Sequence, residues 1–283
     1  MKVKPYYLKI QRACLLFILI FLTGVLCAQS LRRPIAAPYT GFGACSLNHV
    51  DVFSFISNQA ALAQLKNIAA GIYGERRFML NELNNYTAVI GVPAHSGNFG
   101  LKTNYSGFSD YNETQLGLAY ARKLGSKADI GVQFNYNSIR IAGYGNASAV
   151  SFEAGSIFHL TDKLHTGFHI NNPVGGKFGK GQEKLPSIFT AGLGYDASEK
   201  FFFSVELIKE EDQPVDAEAG VQYKILPQLL TRAGVSSATS SAWMGFGFLL
   251  KSFRLDAAAS YHPQLGITPG LLLLFNLNKN QNE

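Results

Sequence analysis

The chain has 283 residues, of which 47% are hydrophobic and only 16% charged, against about a quarter charged in ordinary soluble domains. Its formal charge of +6 owes much to Lys2, Lys4, Lys9 and Arg12, so the body is nearly neutral and carries no basic stripe for nucleic acid. Gly (28), Phe (21) and Tyr (13) are frequent and Cys is rare (3), which favours pleated, turn-rich structure and excludes a disulfide framework.

In chain order, the first element is a basic start followed by an apolar run from Ala13 to Leu22, extended to Cys27, with small residues at Ala28 and Ser30. That is the layout of a cleaved signal peptide, and the run is shorter than a membrane-spanning helix needs. The expected domain plan is a signal peptide at 1–28, an N-terminal extension and plug segment at 29–66, and a barrel at 67–283. Within 41–67, Phe55, Ile56, Leu62 and Leu65 give a weak helical rhythm, the only one in the mature chain.

From Asn67 the period becomes two. Ile130, Val132, Phe134 and Tyr136 alternate with Gly131, Gln133, Asn135 and Asn137, and Phe253 to Tyr261 alternate with Arg254 to His262. Each such strand has one apolar face and one polar or tiny face. Turn signals such as His95-Ser96-Gly97, Gly125-Ser126 and Asp212-Gln213-Pro214 separate the runs. The expectation is about 14 strands, near 67–77, 84–93, 97–107, 112–123, 127–141, 147–160, 163–171, 185–196, 200–209, 214–225, 228–237, 241–251, 253–262 and 266–277. Tyr73, Tyr86, Tyr105, Tyr120, Tyr136, Tyr195, Tyr223 and Tyr261 fall at or near the ends of apolar faces, as interfacial aromatic girdles would. The fold class is therefore all-β: a transmembrane antiparallel β-barrel with a short, partly helical N-terminal plug, exported to the cell outer membrane and surrounded by its lipid. A soluble secreted β-rich adhesin is the alternative from another class.

The final strand reads Thr268-Pro269-Gly270-Leu271-Leu272-Leu273-Leu274-Phe275. Its Gly270, Leu273 and Phe275 fit the signal that barrel assembly machinery recognises, although eight residues follow it. If Leu271, Leu273 and Phe275 face lipid, Leu272 and Leu274 point inward and are expected to pack on the segment Phe55–Leu65.

Residues 57–67, "SNQAALAQLKN", resemble the NPAGLA-type element of FadL-like barrels and their PorV/PorQ relatives in Bacteroidota. Asn58, Ala60, Leu62, Ala63 and Leu65 match, and Gln59 replaces the usual Pro. Residues 170–195 are similar to a hairpin of the same family at Asn172, Pro173, Leu185, Pro186, Gly192, Leu193 and Tyr195. The resemblance implies a plugged outer-membrane barrel with a role in type IX secretion or cell-surface protein handling, with secretion-system components as partners. The FadL-like alternative is a transporter of a hydrophobic ligand, with an apolar pocket between residues 42–66 and the wall.

The inward set includes Glu153, His165, His169, Glu218, Lys224, Arg232, Arg254 and Asp256, read either as a polar conduit or as a salt-bridged wall paired against itself and the plug. His165 and His169 share a strand face without being adjacent, and no third ligand is spaced for a metal. The glycines of 175–181 lack the Lys-Ser/Thr of a phosphate loop. No nucleophile elbow or paired carboxylates stand out, so neither enzyme nor cofactor is expected.

Overall fold

The computed structural model describes residues 39–42, 46–178, 185–238 and 240–277. The expected signal segment, Cys45 and the tip of the 172–184 loop lie outside these residues.

Fourteen strands form: β1 (Ile68–Arg76), β2 (Asn84–Ala94), β3 (Gly97–Gly107), β4 (Tyr111–Leu124), β5 (Ala128–Ile141), β6 (Gly145–His159), β7 (Leu164–Asn171), β8 (Ile188–Asp196), β9 (Phe201–Glu210), β10 (Asp216–Leu226), β11 (Leu229–Ser236), β12 (Ser241–Leu250), β13 (Phe253–His262) and β14 (Gly266–Leu277). Each pairs antiparallel with its sequence neighbours, and β14 pairs with β1 from Ile68↔Leu277 to Glu75↔Gly270, so the sheet closes. The closing strand is therefore the one carrying Gly270, Leu273 and Phe275. Closure leaves no unpaired sheet edge, which is what allows a β structure to cross a bilayer. No helix among the described residues is long and apolar enough to do so.

Burial alternates along the strands with period two. In β5, Ile130, Val132, Phe134 and Tyr136 are exposed outward, while Asp129, Gln133, Asn135 and Asn137 are buried inward. A continuous exposed apolar band is a liability in water but is the ordinary outer face of a membrane barrel; it removes the ground for the soluble adhesin. One end carries tight turns, such as His95-Ser96 between β2 and β3 and Lys251-Ser252 between β12 and β13. The other carries the longer connections 77–83 and 172–187. That asymmetry assigns the short turns to the periplasmic side.

The helical rhythm of 41–67 takes the form of two 3-10 turns, Val52–Ile56 and Gln59–Gln64, separated by Asn58 in an extended conformation (φ −153°, ψ 116°). One expectation needs correction. Tyr73 is no girdle residue: it shares the parity of Gly71 and Glu75, is buried, and donates its hydroxyl to Glu75 at 2.6 Å. Tyr86, Tyr105, Tyr136, Tyr195, Tyr223 and Tyr261 are exposed on the outer face as expected.

Candidate functional site

The site is the seat of the plug inside the periplasmic half of the barrel. Each 3-10 turn starts on a capping side chain. Asp51 accepts from Phe53 N at 2.9 Å while Ser54 Oγ accepts from Asp51 N at 3.1 Å. Asn58 Oδ1 accepts from Ala60 N at 3.0 Å. Two short turns with fixed starts give a compact knob whose side chains radiate in all directions, and Val52 to Ala63 are all buried.

One side of the knob is apolar. Phe53, Phe55, Leu62 and Ala63 form a cluster with Val89, Ala119, Ala121, Leu272 and Leu274, with Leu65 packed against it. The inward pair Leu272 and Leu274 lies in this same cluster, and the side chains of Phe53 and Leu274 both border Gly71. The plug backbone also needs room. A methyl group on Gly131 would overlap the carbonyl carbon of Gln59, and one on Gly155 would overlap Asn58 Oδ1. The tiny inner face of these strands is therefore the space the plug fills.

The β10–β13 wall meets the plug through a charge cage. Arg254 bonds Asp51 at 2.8 Å and Asp256 at 2.9 Å, and Arg232 lies 3.5 Å and 3.4 Å from the same two carboxylates. Tyr39 donates to Asp51 at 2.7 Å and stands 4.8 Å below the Arg232 guanidinium. Burial drives the Tyr39 phenol well above its ordinary value, despite the opposing pull of Arg254. Burial opposes ionisation of Asp51 too, but Arg254 and Arg232 outweigh it and hold its carboxyl below the ordinary range. Two guanidinium groups against two carboxylates balance the buried charge. Arg232 also donates to Gln222 (2.6 Å), whose amide meets His49 Nδ1 at 2.6 Å. Burial lowers the His49 pKa below 6.5, opposed by the Ser198 carbonyl and by Asp196. Glu218 accepts from Gly41 N at 2.9 Å. Lys224 lies inward on the same strand as Glu218.

The β5–β8 wall is built differently. Glu153 accepts from Gln59 of the plug (2.5 Å), from Asn135 (2.7 Å), from Gln133 (3.1 Å) and from His169 (3.2 Å), with buried Lys102 at 3.7 Å. Asn58 Nδ2 donates to the carbonyls of Ser156 (3.2 Å) and Phe168 (3.3 Å), a facing pair across β6 and β7. One plug side chain thus spans the seam between two wall strands. Behind this seam lies a cleft of about 620 Å³ against β6–β9, with Ala154, Phe168, Phe189, Ala191 and Leu207 among its mainly apolar lining. The cavity among plug and wall residues Tyr39, Phe42, His49, Phe202 and Arg232 measures only about 10 Å³, about one water. At this plug–wall contact the described residues leave room for little more than a water, whereas the cleft on the other side of the β6–β7 seam is of ligand size.

The structure divides the sequence-derived polar set. Arg232, Arg254 and Asp256 meet in the cage, and Glu153 meets His169. His165 does not pair with His169; it meets His159, directly opposite on β6, and Asp196 on β8. Among the described residues no group of three His, Cys, Asp or Glu side chains is arranged to hold a metal ion. Sequence reasoning missed Asp51, Asp129, Asp196, Gln59 and Lys102. Asp129, Asp196 and Lys102 are single inward residues of strands and Asp51 and Gln59 lie on the plug; their partners are set by strand register or by the plug's position, and neither leaves a local pattern.

No family model and no curated sequence matches the chain. Solved structures do. The monoaromatic hydrocarbon channel CymD aligns over 88% of this chain and 99% of its own at 12% identity, TM-score 0.65. A FadL homologue of Pseudomonas aeruginosa aligns over 86% and 97% at 12% identity, TM-score 0.63. The Pseudomonas putida toluene transporter TodX aligns over 84% and 95% at 12% identity, TM-score 0.62. With its fourteen closed strands, apolar outer band and N-terminal plug, this chain has the fold of the FadL-type outer-membrane barrels.

Proposed function

We propose that this protein is an outer-membrane channel for hydrophobic small molecules, closed on the periplasmic side by its N-terminal plug. The observation that carries the reading is the 620 Å³ cleft lying outside a wall seam that Asn58 of the plug holds together. Its volume lies within the ordinary ligand range of about 300–1,000 Å³ and its lining is mainly apolar. The neighbouring structures are described as hydrocarbon channels and a toluene transporter, which supports the same class of cargo. The test is uptake of a labelled monoaromatic compound by cells carrying the wild-type barrel or Ala191→Trp, which fills the cleft from the outer face. Uptake falling to background in the variant is the expected result. Equal uptake with and without the protein rejects the proposal.

The likeness of residues 57–67 to the PorV/PorQ element favours a second reading, a scaffold for protein secretion or surface handling. A tagged barrel recovered from outer membranes together with secretion components would establish it, and their absence from the pull-down would count against it.

A further inference from the structure

Four ionisable groups on four consecutive strands form a buried row at the periplasmic end: Asp129 on β5, His159 on β6, His165 on β7 and Asp196 on β8. Asp129 Oδ2 lies 2.9 Å from His159 Nε2, and Asp196 Oδ2 lies 3.2 Å from His165 Nε2. Between the rings, His159 Nδ1 and His165 Nδ1 face each other at 3.0 Å. His165 is fully buried and the His159 side chain is 7% exposed.

Donor and acceptor counting fixes the hydrogens. A carboxylate only accepts, so each Nε2 carries a hydrogen toward its aspartate; the Gln64 amide nitrogen also lies 3.4 Å from His159 Nε2, but its short bond goes to Asp129. The two Nδ1 atoms then oppose one another at hydrogen-bond distance. Two lone pairs repel there, and two N–H groups clash. One hydrogen between them satisfies both rings. The pair therefore holds three ring hydrogens and one positive charge, set between two carboxylates.

Both ends of the row grip the plug. Asp196 accepts from Ser46 Oγ at 2.8 Å and from Leu47 N at 3.1 Å, at the plug's beginning. Asp129 accepts from Gln64 Nε2 at 2.5 Å, at the end of its second turn. We propose that the Asp129–His159–His165–Asp196 row is a single-proton latch: the one proton shared by the two imidazoles orients both carboxylates and so holds both ends of the plug. A second proton, taken up in acid, puts two N–H groups face to face. Loss of the shared proton, in alkali, puts two lone pairs face to face. The latch is closed between these limits and loosens on either side. It rests on the reading of residues 39–65 as a plug, not on what the channel carries.

The other groups facing the row are few. His49 of the plug lies 3.8 Å from Asp196 and is disfavoured as a cation by burial, with Lys224 and Arg232 beyond it. Lys127 and Lys163, in the adjoining turns, offer their backbone carbonyls to His159 N and Asp196 N while their side chains are exposed. The histidine Glu153 binds is His169, not a member of the row.

The test uses the full mature chain in detergent micelles, with histidine rings labelled with nitrogen-15. The expected spectrum shows a downfield Nδ1 proton with a nitrogen–nitrogen coupling across it joining two rings, unchanged by a chelator. Two uncoupled neutral rings, or a coupling that a chelator abolishes, would overturn the proposal, the latter by placing a metal ion where the proton is assigned. The second readout is the chain's single tryptophan, Trp243, which packs on Phe42 of the plug with ring centroids 5.5 Å apart. Its emission is followed from about pH 5, above ordinary carboxylates, to about pH 9, below lysine and tyrosine. A red shift at both limits is expected in the wild type and its loss in His165→Gln. The alkaline limb is diagnostic, because His49 is already neutral there. A flat wild-type profile, or one that survives unaltered in the variant, overturns the latch. Neither readout involves transport, so failure of the channel proposal and failure of the latch are separately visible.

Discussion

On the β10–β13 wall the plug's Asp51 meets two arginines that share Asp256, whereas on the β5–β8 wall the plug meets histidines, neutral amides and carboxylates. Arginine stays charged at any pH a protein survives, so the first wall is a fixed clamp. Imidazole changes charge near neutrality, so the second wall holds conditionally. A plug fastened rigidly on both sides cannot move, and one held conditionally on both sides has no fixed pivot. The difference teaches how one segment can be both anchored and released: the arginine wall serves as the hinge side, the histidine wall as the side that lets go.

The sharpest way to break that comparison is to damage the fixed side. Arg254→Met leaves Asp51 and Asp256 with only the longer contacts to Arg232 and should cost about 3–5 kcal/mol of plug docking, as loss of one partner of a buried ion pair does. Denaturant titration followed by Trp243 emission would measure it. Leu274→Ala opens the apolar cluster that the plug shares with β1, β2, β4 and β14, between the two walls, and should cost about 2–5 kcal/mol in the same titration. Ser46→Ala removes the hydroxyl donor to Asp196 and should cost about 1.5–3 kcal/mol, the range for a hydrogen bond to a charged group; its effect should be confined to the pH range in which the histidine wall grips. The smallest effect concerns His49. Its pKa is depressed in the folded state, so its neutral form contributes stability above 6.5 that is lost as the pH falls through the depressed value. His49→Gln should remove that small acid-side weakening, read as a flatter Trp243 profile below neutrality, and leave the alkaline side untouched.

Much of the fold is legible in the sequence because period two recurs along the strands and every connection but 77–83 is punctuated by Gly, Asp, Ser or Pro. The β4 and β5 boundaries are recovered to within a residue from alternation alone. Pairing across the barrel is another matter. His159 and His165 are six residues apart and look unrelated, yet a four-residue turn between β6 and β7 sets them opposite one another. Asp129 and Asp196 join them only through the stagger of the outer two strands, which no local pattern encodes. Asn58 is legible through its resemblance to a known element, though not its bonds to two wall carbonyls. Gly131 and Gly155 are visible as a tiny inner face; that the plug backbone occupies the space they leave is a fact of packing. Tyr73 shows the limit of composition: a tyrosine near a strand end satisfies the girdle rule, and one residue of parity turns it inward.

The leucines of the closing strand have a consequence for how the molecule is put together. Leu272 and Leu274 are part of the plug's apolar core, and β14 is the strand that completes the wall against β1. The segment that precedes every strand in the chain therefore finds its full binding surface only when the strand that follows all the others is in place. Firm seating of the plug thus depends on seam closure, and an unfinished barrel lacks part of the plug's seat.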